Sequence, residues 1–380
     1  MPAAVDTSRL NILHVLTLNG RNGEYGGPVR VARELCTELN TSGHTTHIFS
    51  GALKGLEPNP KQGLSENFVL VNPIFKRLPV STLWSWRLLA PLTKQIRKAD
   101  VVHIHFGRDL IPFLGAILSI LNRKPFVTQT HGMIISDGRL STRLTDFFFT
   151  RRLINKSRVN LVLSDTELSA VLALGVKSPC KVLPNGIAVS VNLKERHEPK
   201  NRIAFCSRLE KRKGVAKFIE LADSFRDAGI KFEIYGPDGG ELQSVQSEID
   251  SRNLTSVLEY KGSLQADEVQ SVLAEIDLLI LPSKDEPFPM VILEAMAVGT
   301  PVLVMPSCGF AEKLKRFEAS FVADSEDLSG LIDSLNHQKS IKYLRKSHTE
   351  IINFCAEEFG IESVTEQLLG KYKKALSYGN

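Results

Sequence analysis

Short apolar runs of strand length alternate with longer stretches of helical periodicity throughout this 380-residue chain, and that alternation leaves few folds open. In the first half the runs fall at Asn11–Leu18, Thr46–Ser50, Phe68–Val71, Val101–His105, Phe126–Thr130 and Asn160–Ser164. They resume at Arg202–Ser207, Lys231–Tyr235, Leu258–Lys261, Leu278–Pro282, Pro301–Met305 and Ser320–Val322. Strand–helix–strand repetition of this kind builds parallel sheets. Between the two series lies a polar stretch, Asn192–Asn201, which reads as a linker. The pattern therefore predicts an α/β chain of two Rossmann-like, doubly wound domains, residues 1–190 and 191–360. They are expected to face each other across a cleft, with ligands at the carboxyl ends of the strands.

Composition narrows the function classes. At 43% apolar content the chain can bury two cores. The longest apolar run, Leu110–Leu121, carries Pro112 and Gly115 and falls short of the roughly 18–20 residues of a membrane span. The first ten residues do not read as a signal peptide. Five scattered cysteines form no C-x-x-C pair and their odd number argues against a disulfide framework, so a reducing cytoplasm is the expected compartment. The net charge of +5 hides a split. Residues 1–190 hold 23 Lys and Arg against 12 Asp and Glu, and residues 191–380 hold 24 against 30. A basic first half predicts an anionic partner, either phosphate-bearing or a membrane surface. No nucleic-acid-binding signature accompanies the charge, so nucleic acid is not expected as a partner.

The most informative block is Leu281–Val302, which sets Glu286 and Glu294 eight positions apart. Glu286 sits in a Pro-rich loop after a buried-strand pattern. Glu294 lies inside the run Val291–Ala297, which stops at Gly299 as a helix capped by glycine would. Free N–H groups at a helix start take phosphate, and carboxylates accept hydrogen bonds from sugar hydroxyls. Further loops follow other strands. Asn19–Pro28 is rich in glycine and opens a helix at Pro28, but lacks the G-x-G-x-x-G spacing of dinucleotide sites. Thr130-His131-Gly132 ends a strand, and Ser207-Arg208-Leu209 leads through basic residues to Lys213-Gly214. Arg208 and Lys213 suit a diphosphate, as a planar fork and a point charge. Arg212 is a competitor that the following glycine decides against. His103 and His105 fall on one face of their strand, but no D-x-D motif or further ligand pattern completes a metal site. They are expected to line the cleft at most.

These motifs, in this order, resemble the retaining glycosyltransferases of family 4, also called group 1 glycosyltransferases, which have the GT-B fold. The resemblance implies transfer of a sugar from a nucleotide-diphosphate-sugar to a hydroxyl, with retention and without metal or cofactor. The donor it implies is a UDP- or GDP-sugar. A glycan, lipid-linked or small-molecule acceptor would receive the sugar, in the polysaccharide or glycoconjugate biosynthesis that the resemblance implies. A silent nucleotide-sugar-binding partner and an epimerase on the same fold are the alternatives. By resemblance His131, Arg208, Lys213 and Glu286 are the catalytic candidates. His131 would border the anomeric carbon, the two cations would meet the diphosphate, and Glu286 would meet the sugar. Gly27, Leu264, Phe288, Met290, Val291 and Glu294 would bind the donor, Glu294 through the ribose and Leu264 beside the base. Loop Tyr235–Gly240 would lie on the base side as well. The last helix, about Ile361–Ser377, would pack back on the first domain. Two departures stand out. Ser207 replaces the usual glycine of the G-R-L motif, and Pro287-Phe-Pro289 stands for the common Gly-Phe-Gly, where Pro289 lacks an N–H.

Two segments bear on the acceptor. Lys76–Lys98 mixes Trp84 and Trp86 with six basic residues and no acid. Arg139–Arg158 mixes Phe147, Phe148 and Phe149 with six basic residues and one acid. Both suit peripheral contact with an anionic membrane, although the second is expected to pack as a helix before the strand at Asn160.

Overall fold

The computed structural model describes residues 8–20, 27–73, 82–134, 138–189, 200–265, 268–315, 321–337 and 348–377. The chain divides into two compact units. One comprises Met1–Gly186 with Ile361–Asn380, the other Ile187–Gly360. Most of the expected linker Asn192–Asn201 lies outside the described residues, as do Arg21–Gly26 of the glycine-rich loop and Lys76–Ser81 of the Trp segment.

Each expected apolar run overlaps a strand, although the third strand begins at Ser65, three residues before the run expected at Phe68. In the first unit these are β1 (Asn11–Leu18), β2 (Thr45–Ala52), β3 (Ser65–Leu70), β6 (Val101–His105), β7 (Phe126–Gln129) and β8 (Asn160–Val162). Three short strands went unforeseen. β4 (Asn72–Pro73) and β5 (Leu83–Trp84) form a small antiparallel pair, and β9 (Cys180–Val182) adds an edge. β9 is three residues long with no side chain fully buried, so no apolar run marks it. The main sheet is parallel, in the order β3-β2-β1-β6-β7-β8-β9, and reverses direction of growth between β1 and β6.

Alternation along β1 sorts its side chains between the two faces. Leu13 and Val15 meet α3 (Leu110–Leu121), whose Gly115 lets the helix come close to Val15. Leu16 turns to the other face, under α1 (Gly27–Thr41) with Val29, Ala32 and Cys36. The run that was too short for a membrane span is thus a buried helix. Pro112 sits in its first turn, where no intrahelical donor is lost. Helix α2 (Leu89–Lys98) tolerates Pro91 for the same reason. No helix among the described residues is long and apolar enough to cross a membrane.

The second unit holds one parallel sheet, ordered β12 (Leu258–Gly262), β11 (Lys231–Tyr235), β10 (Arg202–Cys206), β13 (Leu278–Leu281), β14 (Val302–Val304) and β15 (Phe321–Val322). Its growth reverses between β10 and β13. Ligands of open α/β sheets bind outside the strand ends at such a reversal.

The C-terminal helix Ile361–Ser377 belongs to the first unit and packs on α1. Tyr372 on this helix is fully buried, and its hydroxyl shares a 2.6 Å hydrogen bond with His103 Nδ1. Tyr372→Phe leaves that buried nitrogen without its hydroxyl partner. It should cost about 1–3 kcal/mol of stability by denaturant titration. An unchanged midpoint would mean that the hydrogen bond does not anchor the helix.

Candidate functional site

Three loops meet at the carboxyl ends of β10, β11 and β12. Ser207 N–H donates to Tyr235 carbonyl (3.0 Å), Leu209 N–H to Pro237 carbonyl (2.9 Å), and Gly236 N–H to Gly262 carbonyl (2.9 Å). Gly236 is in the positive-φ region at +144°, and a Cβ there would lie 1.8 Å from the Ser207 carbonyl oxygen. Only glycine permits this crossing. Ser207, the departure from the common motif, contributes its backbone to the crossing. Leu264 lies half-buried just beyond β12.

The cationic loop continues from β10 and turns at Gly214, φ +78°, into α7 (Val215–Ser224). A Cβ on Gly214 would lie 2.2 Å from the Pro282 carbonyl oxygen at the end of β13. That close approach places Lys213 Nζ 2.6 Å from Glu286 Oε2, and Arg212 Nη1 3.1 Å from the same oxygen. Glu286 is buried and Lys213 mostly so, whereas half of the Arg212 side chain is exposed. Sequence reasoning chose Lys213 over Arg212; the structure brings both to one carboxylate. Arg208, further along the rim, pairs with Glu210 at 3.1 Å and is half exposed. The loop from Arg208 to Lys213 carries four cations against its own Glu210 and the Glu286 it meets, a positive surplus that an anion can meet.

The Glu286 loop is fixed at both ends. Gly309 N–H donates to Glu286 carbonyl (2.8 Å), Asp285 N–H to Ser307 Oγ (3.0 Å), and Ser307 N–H to Glu326 Oε1 (2.5 Å). Helix α10 (Met290–Ala297) follows, with Met290 and Val291 half-buried at its start and Glu294 buried in its second turn. It ends as the sequence indicates. Gly299, φ +74°, donates to Met296 carbonyl (2.9 Å) and Thr300 to Ala295 carbonyl (2.8 Å), the two bonds of a Schellman cap. Burial, reinforced by the Glu294 charge, pushes the neighbouring Cys206 thiol up to about 12, so it stays protonated. The Phe288 ring turns inward against Phe310, with centroids 4.3 Å apart. Any contact from Phe288 to a ligand must come from its backbone.

In the first unit His131 sits just beyond β7 with φ +50°, a left-handed conformation rare for a residue with a side chain. The turn is held by Glu167, which the sequence reading passed over. Its Oε1 accepts from Thr130 Oγ1 (2.5 Å) and Gly132 N–H (2.6 Å), and its Oε2 from Leu163 N–H (2.6 Å). Burial raises the Glu167 pKa while these donors oppose the shift. A signal was present: Ser164-Asp-Thr-Glu167 is a capping-box spacing, and Ser164 Oγ does accept from Glu167 N–H at the start of α6 (Asp165–Ala173).

His103 is sealed inside the first unit, while His105, though buried, reaches the wall of a cavity at the β1–β6 reversal. The β1–β6 register sets His14 beside His103, and all three rings are buried under α1 and the C-terminal helix. His14 Nδ1 and His105 Nε2 share a hydrogen bond of 3.0 Å, and His105 Nδ1 and His131 Nε2 one of 2.7 Å. His131 thus ends a line of three imidazoles. Burial lowers His14 and His131 to about 3 and the other two well below their usual value, so the line is neutral at pH 7. His14, His103 and His105 offer ring nitrogens within 4.8 Å of one another, the donor set of a zinc site. Yet His103 and His105 stack only 6° from parallel at 4.6 Å, so their in-plane lone pairs do not converge on one ion.

At the β1–β6 reversal lies a cavity of about 140 Å³, lined among others by Pro28, Val29, His105, Asp109 and Met133. Asp109, also unremarked in the sequence, accepts from Thr17 Oγ1 (2.7 Å), and burial raises its pKa. Gly27, next to the cavity wall, could carry a Cβ without touching any protein atom. Its bareness answers to no packing neighbour among the described residues.

Comparison with known proteins follows the same division. The model of "Glycosyl transferases group 1" matches residues 192–352, and that of "Glycosyltransferase Family 4" matches 25–191. A D-inositol 3-phosphate glycosyltransferase of Paenarthrobacter aurescens is 23% identical over 93% of this chain and 94% of its own length. The amylovoran biosynthesis glycosyltransferase AmsK of Erwinia amylovora is 28% identical over 65% of this chain and 64% of its own. Among solved structures, Anabaena Alr3699/HepE in complex with UDP and glucose has a TM-score of 0.74 at 19% identity. The match covers 94% of this chain and 98% of that one.

Two outcomes follow from the first unit. Glu167→Ala strips three buried donors of their acceptor and should destabilise by about 2–4 kcal/mol, whereas Glu167→Gln should lose less, because its carbonyl can keep part of the set. Equal losses in denaturant titration would contradict the acceptor role. His14 has a folded-state pKa near 3, below its unfolded value near 6.5, so the unfolded chain binds a proton that the folded chain refuses. Stability should be insensitive to this group above pH 6.5. It should fall as pH drops toward 3, by at most about 1.4 kcal/mol per unit for this residue. His14→Gln should flatten that decline, and an unchanged slope would show His14 to be solvated.

Proposed function

We propose, from the premise that this chain belongs to the group 1 glycosyltransferases and carries their GT-B fold, that it transfers a sugar from a UDP-sugar to a hydroxyl with retention and without a metal ion. The carrying observation is the cluster at the β10–β13 reversal, where Lys213 and Arg212 converge on Glu286. A diphosphate set against this loop meets Arg208 and Lys213. The sugar meets Glu286 and the backbone ahead of α10, and the ribose hydroxyls meet Glu294. Leu264, beside the Gly236–Gly262 junction, is assigned to the base. UDP is preferred to GDP because the Anabaena neighbour is a complex with UDP.

In the proposed reaction the acceptor oxygen attacks the anomeric carbon on the face from which the diphosphate departs. The carbon–oxygen bond to the β-phosphate breaks with its electron pair staying on the diphosphate, and the acceptor proton passes to the departing phosphate oxygen. The chain's share is positioning and charge stabilisation. Neutral His131 hydrogen-bonds a hydroxyl of the sugar, with its ring held by His105. Asp109 at the first unit's cavity is assigned to the acceptor side, and Gly27 next to the cavity wall to the donor. The basic balance of residues 1–190 supports a phosphate-bearing or lipid-linked acceptor in polysaccharide biosynthesis, met at the cytoplasmic face of a membrane.

If Lys213 stabilises the departing charge more than the bound donor, Lys213→Ala should lower kcat and kcat/KM together by about a hundredfold. A change confined to KM would make Lys213 a ground-state contact. Because cations take the place of a metal, turnover should survive excess EDTA. Loss of activity restored by Mg²⁺ or Mn²⁺ would contradict that assignment.

A further inference from the structure

The connection from β7 to β8 in the first unit exposes more apolar surface than a solvated helix normally keeps. It runs as α4 (Leu140–Thr145), one π-helical turn (Asp146–Thr150) and α5 (Arg151–Ile154). The sequence pattern predicted ordinary packing here. Instead Leu140 is 70% exposed, and Leu144, Phe147, Phe148 and Phe149 are each about half exposed. The π-turn closes with the Arg151 N–H on the Asp146 carbonyl, five residues back. Insertions of this kind are frequent at functional sites. Phe149 stacks on Phe113 of α3 at 5.9 Å, and Phe147 and Phe148 meet edge to face at 5.1 Å, so the rings form a supported platform.

The charges around this platform have one sign. Arg151 and Arg152 lie over the Phe147 ring at 5.1 and 5.8 Å, with Arg139 and Arg143 along α4. Asp146, the single acid of Arg139–Arg158, is buried in a 2.7 Å ion pair with Arg108. Trp86 shows the same chemistry in the 3-10 turn (Trp86–Leu88) that leads into α2, a helix packed beside α3: it is 73% exposed with Arg87 over its ring, whereas Trp84 is half-buried against the core. Half-immersed aromatic and aliphatic side chains ringed by arginine match the boundary between headgroups and acyl chains. A twofold contact with a second copy would set each arginine cluster against its own like.

We propose that this Leu140–Phe149 face seats the protein on the anionic surface of a lipid bilayer. The surface deepens the lipid-linked acceptor reading given above and rests on it for its purpose. Arg108 joins the face to the acceptor-side cavity, because the same guanidinium that binds Asp146 also donates to the Met133 carbonyl at 2.9 Å. Met133 lines that cavity with Asp109. A lipid-borne acceptor would then be presented beside the cavity by the helix that rests in its headgroup layer.

The full chain should float with vesicles of phosphatidylcholine mixed with phosphatidylglycerol, and not with phosphatidylcholine alone. Binding should fade as salt shortens the Debye length below about 8 Å. Phe147→Ser with Phe148→Ser should weaken partitioning at least about tenfold, and Arg151→Gln with Arg152→Gln should weaken it and flatten its salt dependence. UDP titration by calorimetry should be unchanged in both variants. Equal recovery on neutral and anionic vesicles, recovery on neither, or variants that bind like the wild type would each overturn the proposal. A dimer that the Phe variants dissociate, without vesicle binding, would assign the face to a second copy. Absent UDP binding beside intact vesicle binding would remove the catalytic reading and leave this surface standing.

Discussion

The close approach of Gly214 to the Pro282 carbonyl governs the second unit's candidate site. Two loops that leave neighbouring parallel strands normally diverge, because side chains hold their backbones apart. Here a bare Cα in the left-handed region lets the β10 loop press against the end of β13. The lysine just before that glycine reaches the carboxylate that follows β13. The resulting ion pair is largely removed from water, so its charges interact more strongly than a surface pair does, and either one alone would be costly to bury. The arrangement fixes the site before any ligand arrives. On the proposed reading a diphosphate would share Lys213 with Glu286, which gives the half-exposed Arg212 and Arg208 a part in meeting it.

The first unit solves a different problem. His131 needs a left-handed backbone and a neutral ring, and each has its own cause. Glu167 holds the turn by accepting from both sides of it, and burial keeps the imidazole line from charging. A neutral imidazole can still donate or accept, which is what the proposed contact with a sugar hydroxyl requires. His103 and His105 alternate with apolar residues along β6 and His14 of β1 registers beside His103, so one face of the sheet carries a polar layer sealed by Tyr372. That sealing explains why a helix remote in sequence belongs to this unit.

Much of this was legible beforehand. Strand positions followed from short apolar runs because both sheets are parallel and buried, and Gly299 announced the end of α10 because only glycine makes that cap cheaply. β9 escaped because an edge strand buries little. Glu167 and Asp109 escaped for a subtler reason. Their roles depend on which loops the sheet order brings together, and one sequence does not show that Leu163, Thr130 and Gly132 share an acceptor. His105 does line the cavity at the β1–β6 reversal, whereas His103, expected beside it, is sealed under Tyr372, since periodicity gives a face and not what covers it. The segment around Phe147 was expected to pack as a helix before the Asn160 strand, and the π-turn within it, where all three rings stay half exposed, follows no spacing rule.

The central claim is that the segment from Glu286 to Gly299 binds the nucleotide end of a sugar donor. Calorimetric titration of UDP into the wild-type chain and a folded Glu294→Ala variant tests it most directly. The account predicts measurable UDP binding that the substitution weakens by about 1.5–3 kcal/mol, the scale of a hydrogen bond to a charged group. Equal affinity in the two proteins would contradict it.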